Sequence, residues 1–435
     1  MVDATGAVDF SAPAVLADPH SLFATLRTSN PVCLARDPRG SIIYLVTSAA
    51  LVDEATKRAD DFSSKFGHLT VSSDTANAEA VAVLAAETGM SGLLLISDDP
   101  EHKRYRALVN QVFAQGRVAH LQPVIEKIVD DLIDAMIVKG EADFVNDFAV
   151  LLPTYVIADI LGLGRQDWHL VRQWSDSVIR IVSRMGTPEE EVAAAHDAVA
   201  FFRYIRARIK ERRETPSDDL ISNLVNVRLD GMEPLTDDEA ASLTFEISIA
   251  GNETTRNTLM SGLAQLLRHP DQLEALSSDP TLVANAVEEL LRYETPATSM
   301  WRIATRDTVL GNVAIPKGAE LLLRFDAANR DPAKFPKPDA FDIRRKNART
   351  HVAFGAPGIH RCLGQMLARK ELAIALPKLL GRLRNIRIIG NSDTAYWPGL
   401  LHRGIGSLHI AFDRERKIAG TSIPAPKDEE AESIP

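Results

Sequence analysis

The stretch from Thr236 to Pro270 limits what this chain can fold into more than any other part of its sequence. Thr236-Asp237-Asp238-Glu239 reads as a capping box: the threonine hydroxyl accepts from the amide three residues on, the glutamate reaches back, and the acidic first turn suits the positive end of a helix. The helical pattern then runs on to His269-Pro270, where proline stops it. At 1.5 Å per residue, about 33 helical residues reach roughly 50 Å, enough to cross an entire domain. The middle of this helix is Ala250-Gly251-Asn252-Glu253-Thr254-Thr255. Glycine, asparagine and threonine are mediocre helix formers, and a mid-helix threonine can turn its hydroxyl to the i−4 carbonyl and bend the axis. A glutamate at such a position is ordinarily solvated.

The rest of the chain supplies helical company. From about residue 99 to residue 292 apolar residues recur at helical spacing, as in HLQPVIEKIVDDLIDAMIVKG and AAHDAVAFFRYIRARIKERRE. Strand-like material is short and sits near the ends: residues 41–47 read as one strand, and residues 307–323 as two strands around a turn. The expected architecture is mainly α with a minor β-sheet region. Residues 1–14 read as an N-terminal extension and 15–413 as a single domain, because no glycine- or proline-rich linker cuts it. Residues 414–435, charged, proline-bearing and poor in large apolar side chains, read as a disordered acidic tail. A chain of 435 residues buries roughly three-quarters of its extended surface, which leaves room for a sizeable ligand. The N-terminus lacks a basic start followed by an apolar run, and no window nears 18 uninterrupted apolar residues, so a cytoplasmic protein without a membrane anchor is expected. The net charge of −10 gives no global attraction to nucleic acid or anionic lipid.

Cys33 and Cys362 are too few and too far apart for a disulfide framework or a four-cysteine metal site. Cys33 follows Pro31-Val32 and reads as a packing residue. Cys362 closes a loop bearing glycine and proline that leads into a helical pattern through Leu380. The free amides and positive dipole at that helix start lower a thiol's pKa and donate to sulfur, conditions that hold a thiolate. A lone cysteine in such a place is more often an inert buried thiol. Gly358 and Gly364 flank this one without side chains, as a flat ligand pressed against the backbone requires, and His360 and Arg361 add donors.

Gly358-x-His360-x-Cys362-x-Gly364 is similar to the cysteine-ligand loop of the cytochrome P-450 superfamily of haem-thiolate monooxygenases. Glu289-Leu290-Leu291-Arg292 resembles that family's E-x-x-R pair, and the segment from Ala250 to Thr255 its oxygen-binding helix signature. Pro100-Glu101-His102 through Arg106, Asn329-Arg330-Asp331-Pro332 and Pro338-Asp339-Ala340-Phe341-Asp342 agree, so the resemblance covers about residues 15–413. It implies the cytochrome P-450 fold, with the long central helix crossing over a haem b and Cys362 as the axial ligand of the haem iron. A cysteinate ligand pushes electron density onto iron and favours O–O cleavage. The resemblance further implies that Thr254 hydrogen-bonds dioxygen and that Glu253, where the family often has aspartate, relays protons through water, Ala250 and Gly251 leaving space for oxygen. His102 and Arg106, i and i+4 on one helix face, join Arg302 and His360 as partners of the haem propionates, which need cations or donors when buried. Phe354, Gly358 and Gly364 belong to the same cofactor-binding set. Glu289 and Arg292 are implied to be structural, supporting the cysteine loop.

Two features depart from the family pattern. Many members place an arginine immediately before the phenylalanine of the segment at 338–341, as a third partner of the E-x-x-R pair, and this chain has Ala340 there. Arg344 and Arg345 are the candidate substitutes. Phe354 to Cys362 is eight steps, one more than usual, so one residue is inserted near Ala356-Pro357 and a local bulge is expected beside the cysteine.

No G-x-G-x-x-G or comparable nucleotide-binding unit is present, so electrons are expected from a separate protein, an acidic ferredoxin with its ferredoxin reductase. Lys103, Arg104, Arg361 and Arg369 are the expected docking patch. Leu93, Leu94, Ile249, Ala297, Thr298, Met300 and Leu400 fall where relatives line the distal pocket, and their mostly aliphatic or small character implies an apolar small-molecule substrate such as a terpenoid, steroid, fatty acid or alkylated aromatic. The alternatives are a peroxide-driven haem-thiolate enzyme, which needs no electron partner, and a non-enzymatic haem or gas-binding protein, which needs no distal acid.

Overall fold

The computed structural model describes residues 6–10, 12–38, 40–67, 77–88, 93–113, 119–164, 167–183, 187–390 and 392–413. The expected tail at 414–435 lies outside the described residues. The chain is mainly helical, and its longest helix, Asp237–Arg268, has 32 residues. The capping box forms: the Glu239 amide donates to the Thr236 hydroxyl (3.2 Å) and the Thr236 amide donates to the Glu239 carboxylate (2.9 Å). Buried residues lie all round this helix, from Ala240 to Leu266, which marks it as an interior helix rather than an amphipathic surface one. Several of its hydroxyls are satisfied within the helix: Thr244 and Ser248 donate to the carbonyls of Ala240 and Thr244 (2.7 Å each), and Thr254 to that of Ala250 (3.2 Å).

The helices Gln122–Ile137, Leu151–Leu161 and Pro188–Glu214 share one large hydrophobic cluster with it, as does Gln365–Arg382, the helix that follows Cys362. A six-stranded sheet runs Val8–Asp9, Val32–Arg36, Ile42–Val46, Glu320–Arg324, Ser299–Ala304, Phe62–Ser63. Ile42–Val46 pairs parallel with Glu320–Arg324, which brings together segments far apart in sequence. Residues 307–323 hold three strands where two were expected. Thr308–Leu310 and Val313–Ile315 form a separate hairpin whose turn, Gly311-Asn312, has φ of +55° and +66°, as a mirror-image turn demands, and the third strand joins the large sheet.

One buried carboxyl in this framework gives a pH-dependent stability. Glu371, on the helix Gln365–Arg382, is 1% exposed, and burial pushes its pKa up to about 8. A raised acid pKa contributes stability that is fully present below the unfolded value near 4.5 and is lost as pH rises through about 8. Glu371→Gln is therefore expected to melt on the order of 5 °C above the parent at pH 9, with little difference at pH 5, in thermal unfolding followed by circular dichroism. Parallel Tm–pH curves for the two proteins would refute this.

Candidate active site

Cys362 precedes the helix Gln365–Arg382 by three residues, and the amides of Gly364 and Gln365 donate toward its sulfur. The expectation of a lowered thiol pKa does not hold: burial pushes the Cys362 thiol up, outweighing those amides and the nearby Arg106 and Arg369 cations. A thiolate at this position therefore calls for a further positive charge, such as a metal ion supplies. The Cys362 amide donates to the Phe354 carbonyl (2.9 Å), which closes the loop across its extra residue. That residue is taken up against the helix Ala49–Lys57: the Thr56 hydroxyl donates to the Pro357 carbonyl (3.3 Å), and a Cβ on Gly358 would stand 2.8 Å from the Thr56 carbonyl oxygen. The Phe354 ring packs under the Arg369 guanidinium, 4.4 Å from its centroid. Arg369 in turn forks Glu288 (2.8 and 3.1 Å), which also meets His351 Nε2 (2.9 Å). Burial raises the Glu288 carboxyl, but these partners outweigh it and leave the pKa at about 2.

Glu289 and Arg292 are both fully buried and bonded through Nε (2.7 Å) and a terminal nitrogen (2.8 Å). The third partner is Arg345, whose Nε lies 3.1 Å from each Glu289 oxygen. Ala340 offers its carbonyl to both arginines, at 3.2 Å from Arg292 and 2.7 Å from Arg345. Arg292 also donates to the Asn329 carbonyl (2.9 Å), and the Asn329 side chain accepts from the Val352 amide (2.8 Å), so the pair is connected to the start of the cysteine loop.

Across from the loop, the helix Glu101–Val112 sets His102 and Arg106 one turn apart. The rings of His102 and His360 stand 4.2 Å apart between centroids, and both Nε2 atoms are buried with no partner among the described residues. Burial lowers both histidine pKa values, that of His360 to about 3, helped by the Arg302, His102 and Arg106 charges. Arg302, 5% exposed, makes one hydrogen bond among the described residues, to the Trp301 carbonyl (2.7 Å), and burial lowers its pKa to about 10. His102, whose Nδ1 meets Asp99 (3.4 Å), and His360 thus keep a free buried Nε2, Arg106 lies near Cys362, and Arg302 has no carboxylate bonded to it among the described residues, a set that fits the two carboxylates of a haem. The long helix fits the same group, because Ala250, at its midpoint, retains accessible surface while its neighbours on other faces are buried.

The remaining expected residues sort unevenly. A Cβ on Gly251 would meet Ile157 at 2.5 Å, so Gly251 serves the packing of the long helix on Leu151–Leu161 rather than space for oxygen. Glu253, 4% exposed, is ion-paired with Arg256 and accepts from the Asn257 side chain (2.9 Å), while Arg256 also pairs with Asp176 (2.9 Å). A small polar cleft lies on this side, lined by Thr154, Ser175, Asp176, Asn252, Glu253 and Arg256 among others. Thr254 is half-buried beside Ala250. Leu400 is wholly buried in a second core cluster with Phe10, Phe23 and Trp301, and Thr298 bonds its carbonyl (3.2 Å), so both belong to packing and not to a pocket wall. Ile249 is nearly buried, while Leu93, Leu94, Ala297 and Met300 keep partial exposure. Of the expected docking cations, Arg104 is spent on Glu239 and Arg369 on Glu288, leaving Lys103 and Arg361 exposed. The sequence reading missed Glu246, whose carboxylate accepts from the Leu94 and Leu95 amides; its place four residues before Ala250, on the same helix face, was the available signal.

A family model described as Cytochrome P-450 matches residues 176–386. The chain is 39% identical over 321 residues to a steroid C26-monooxygenase of Mycobacterium tuberculosis, covering 74% of this chain and 86% of that protein. It is 35% identical over 407 residues to the cytochrome P-450 monooxygenase PikC of Streptomyces venezuelae, covering 92% of each. Among solved structures it resembles a myxobacterial cytochrome P-450, CYP267B1, in complex with myristic acid, with a TM-score of 0.84, 34% identity, and coverage of 93% of this chain and 99% of that one. No helix of the described residues is long and apolar enough to cross a membrane.

Proposed function

The chain belongs to the cytochrome P-450 superfamily of haem b monooxygenases, and we propose that it inserts oxygen into an extended apolar small molecule of the steroid or fatty-acyl type, drawing electrons from a ferredoxin. The observation that carries the reading is the meeting of the Cys362 sulfur, held by the Gly364 and Gln365 amides, with His102, Arg106, Arg302 and His360, where the Nε2 atoms of both histidines are buried with no partner among the described residues and Asp99 meets His102 only through Nδ1 (3.4 Å). Bound haem supplies oxygen activation, in which dioxygen, two electrons and two protons yield one water and one oxygen atom added to substrate. Cys362 would hold the iron, and His102, Arg106, Arg302 and His360 would take the propionates.

The long helix handles protons. The Thr254 hydroxyl, beside Ala250, donates to the oxygen side, and Glu253, one residue earlier, resupplies it. Glu253 reaches that role by exchanging Arg256 for water from the polar cleft behind the helix, which leads to Asp176. The steroid C26-monooxygenase and the myristic acid complex support a long apolar substrate, as do Leu93, Leu94, Ile249, Ala297 and Met300. Of the four expected docking cations, Lys103 and Arg361 are the exposed ones that an acidic ferredoxin would meet.

Reconstitution with a ferredoxin, its reductase and a panel of steroids and long-chain fatty acids tests the reading. Thr254→Ala and Glu253→Gln are each expected to lower product per electron consumed by about tenfold to a hundredfold, the missing electrons appearing as hydrogen peroxide. Product formation from hydrogen peroxide alone, equal to the ferredoxin-driven rate and indifferent to Glu253→Gln, would favour the peroxide-driven enzyme instead.

A further inference from the structure

Glu246, an interior carboxylate of the long helix, has no part in the mechanism. Glu246 accepts hydrogen bonds from the amides of Leu94 (2.7 Å) and Leu95 (2.6 Å), lengths typical of charge-assisted bonds. Among the described residues no cation pairs with it, and burial pushes its pKa up to about 7 against the help of those two amides. Four residues before Ala250, it faces the same side of the helix, and both residues keep accessible surface although the helix crosses the interior.

The segment it grips is anchored elsewhere at its far end. The Ser97 hydroxyl donates to the Leu93 carbonyl (2.5 Å), the Ser97 backbone hydrogen-bonds the His360 ring, and Asp98 accepts from the Ser63 hydroxyl (2.5 Å) and the Ser64 amide (2.8 Å). Residues 97–98 are therefore fixed to the sheet and the cysteine loop. Among the described residues, the Leu94 and Leu95 amides have Glu246 as their hydrogen-bond acceptor.

We propose that Glu246 is a positioning residue that sets substrate access: by gripping the Leu94 and Leu95 amides it holds residues 93–96 as a wall of the substrate pocket and limits the size and rate of what enters. The inference rests on the reading of the space beside Ala250 as that pocket. Both oxygens are needed, one for each amide. Glu246→Gln keeps one acceptor and turns an NH2 toward the other amide, and Glu246→Leu keeps none.

The test uses the haem-loaded protein and two nitrogen ligands of different size, imidazole and 4-phenylimidazole, in stopped-flow mixing, with hydrogen exchange of the 93–97 peptide measured alongside. Glu246→Leu is expected to speed association and dissociation of 4-phenylimidazole about tenfold while imidazole changes less than about twofold, with Glu246→Gln between. Exchange at Leu94 and Leu95 is expected to quicken by about tenfold or more in both variants. Unchanged exchange, unchanged 4-phenylimidazole rates, or an equal change for both ligands would each overturn the proposal. Should Glu246→Leu fail to fold, the isosteric Glu246→Gln decides. Failure of the haem-thiolate reading itself is distinguishable, because the parent protein would then bind neither ligand.

Discussion

Cys362→Ser is expected to abolish the thiolate-type spectrum of the reduced carbon monoxide complex and to lower monooxygenase turnover at least about a hundredfold, ~2.7 kcal/mol of barrier. A serine hydroxyl stays protonated where a thiol ionises, so the Gly364 and Gln365 amides would face a neutral oxygen that gives iron little electron density. The four donors His102, Arg106, Arg302 and His360 remain in the variant, so haem is expected to bind with its spectrum altered, which separates loss of the ligand from loss of the fold. Cys33 is the control. It lies in the strand Val32–Arg36, where burial pushes its thiol up to about 11, and Cys33→Ser is expected to leave the spectrum unchanged. A thiolate-type band in Cys362→Ser would sink the assignment of the ligand.

What could be read from the sequence divides by the range of the interaction. The bounds of the long helix follow from Thr236, Glu239 and Pro270, all local signals: the helix Asp237–Arg268 begins directly after Thr236 and ends two residues before Pro270. The glycines around Cys362 and the i, i+4 spacing of His102 and Arg106 are local too. Arg345 was not placeable, because it meets Glu289 from 56 positions away in a loop without periodicity. The same holds for the parallel pairing of Ile42–Val46 with Glu320–Arg324, and for Gly251, whose neighbour Ile157 belongs to another helix. Charge was the least legible quantity. Arg104 and Arg369 look like surface cations in sequence, yet Glu239 and Glu288 take them up, and Glu253 is turned toward Arg256 rather than toward Thr254.

The buried triad of Glu289, Arg292 and Arg345 carries the largest expected effect on stability. Removing one member of a fully buried ion pair leaves the other charge in a dry interior, at a cost of about 3–5 kcal/mol. Arg292→Met leaves Glu289 with Arg345 and the Asp342 amide (2.9 Å), and strips a donor from the carbonyls of Asn329, Pro338 and Ala340. Because Asn329 also holds the Val352 amide, the loss reaches the cysteine loop. Arg292→Met is therefore expected to fall in stability by about 3–5 kcal/mol in urea unfolding and to retain little haem. Arg345→Met is expected to move the same way by a smaller amount, since Arg292 still neutralises Glu289 through two short bonds. Glu289→Leu leaves two guanidinium groups facing each other and is expected to match or exceed Arg292→Met. The three effects share one carboxylate, so the double variant Glu289→Leu with Arg345→Met is expected to be less destabilised than the sum of its parts. Strict additivity, or a neutral Arg345→Met, would show that Arg345 does not substitute for the arginine absent at position 340.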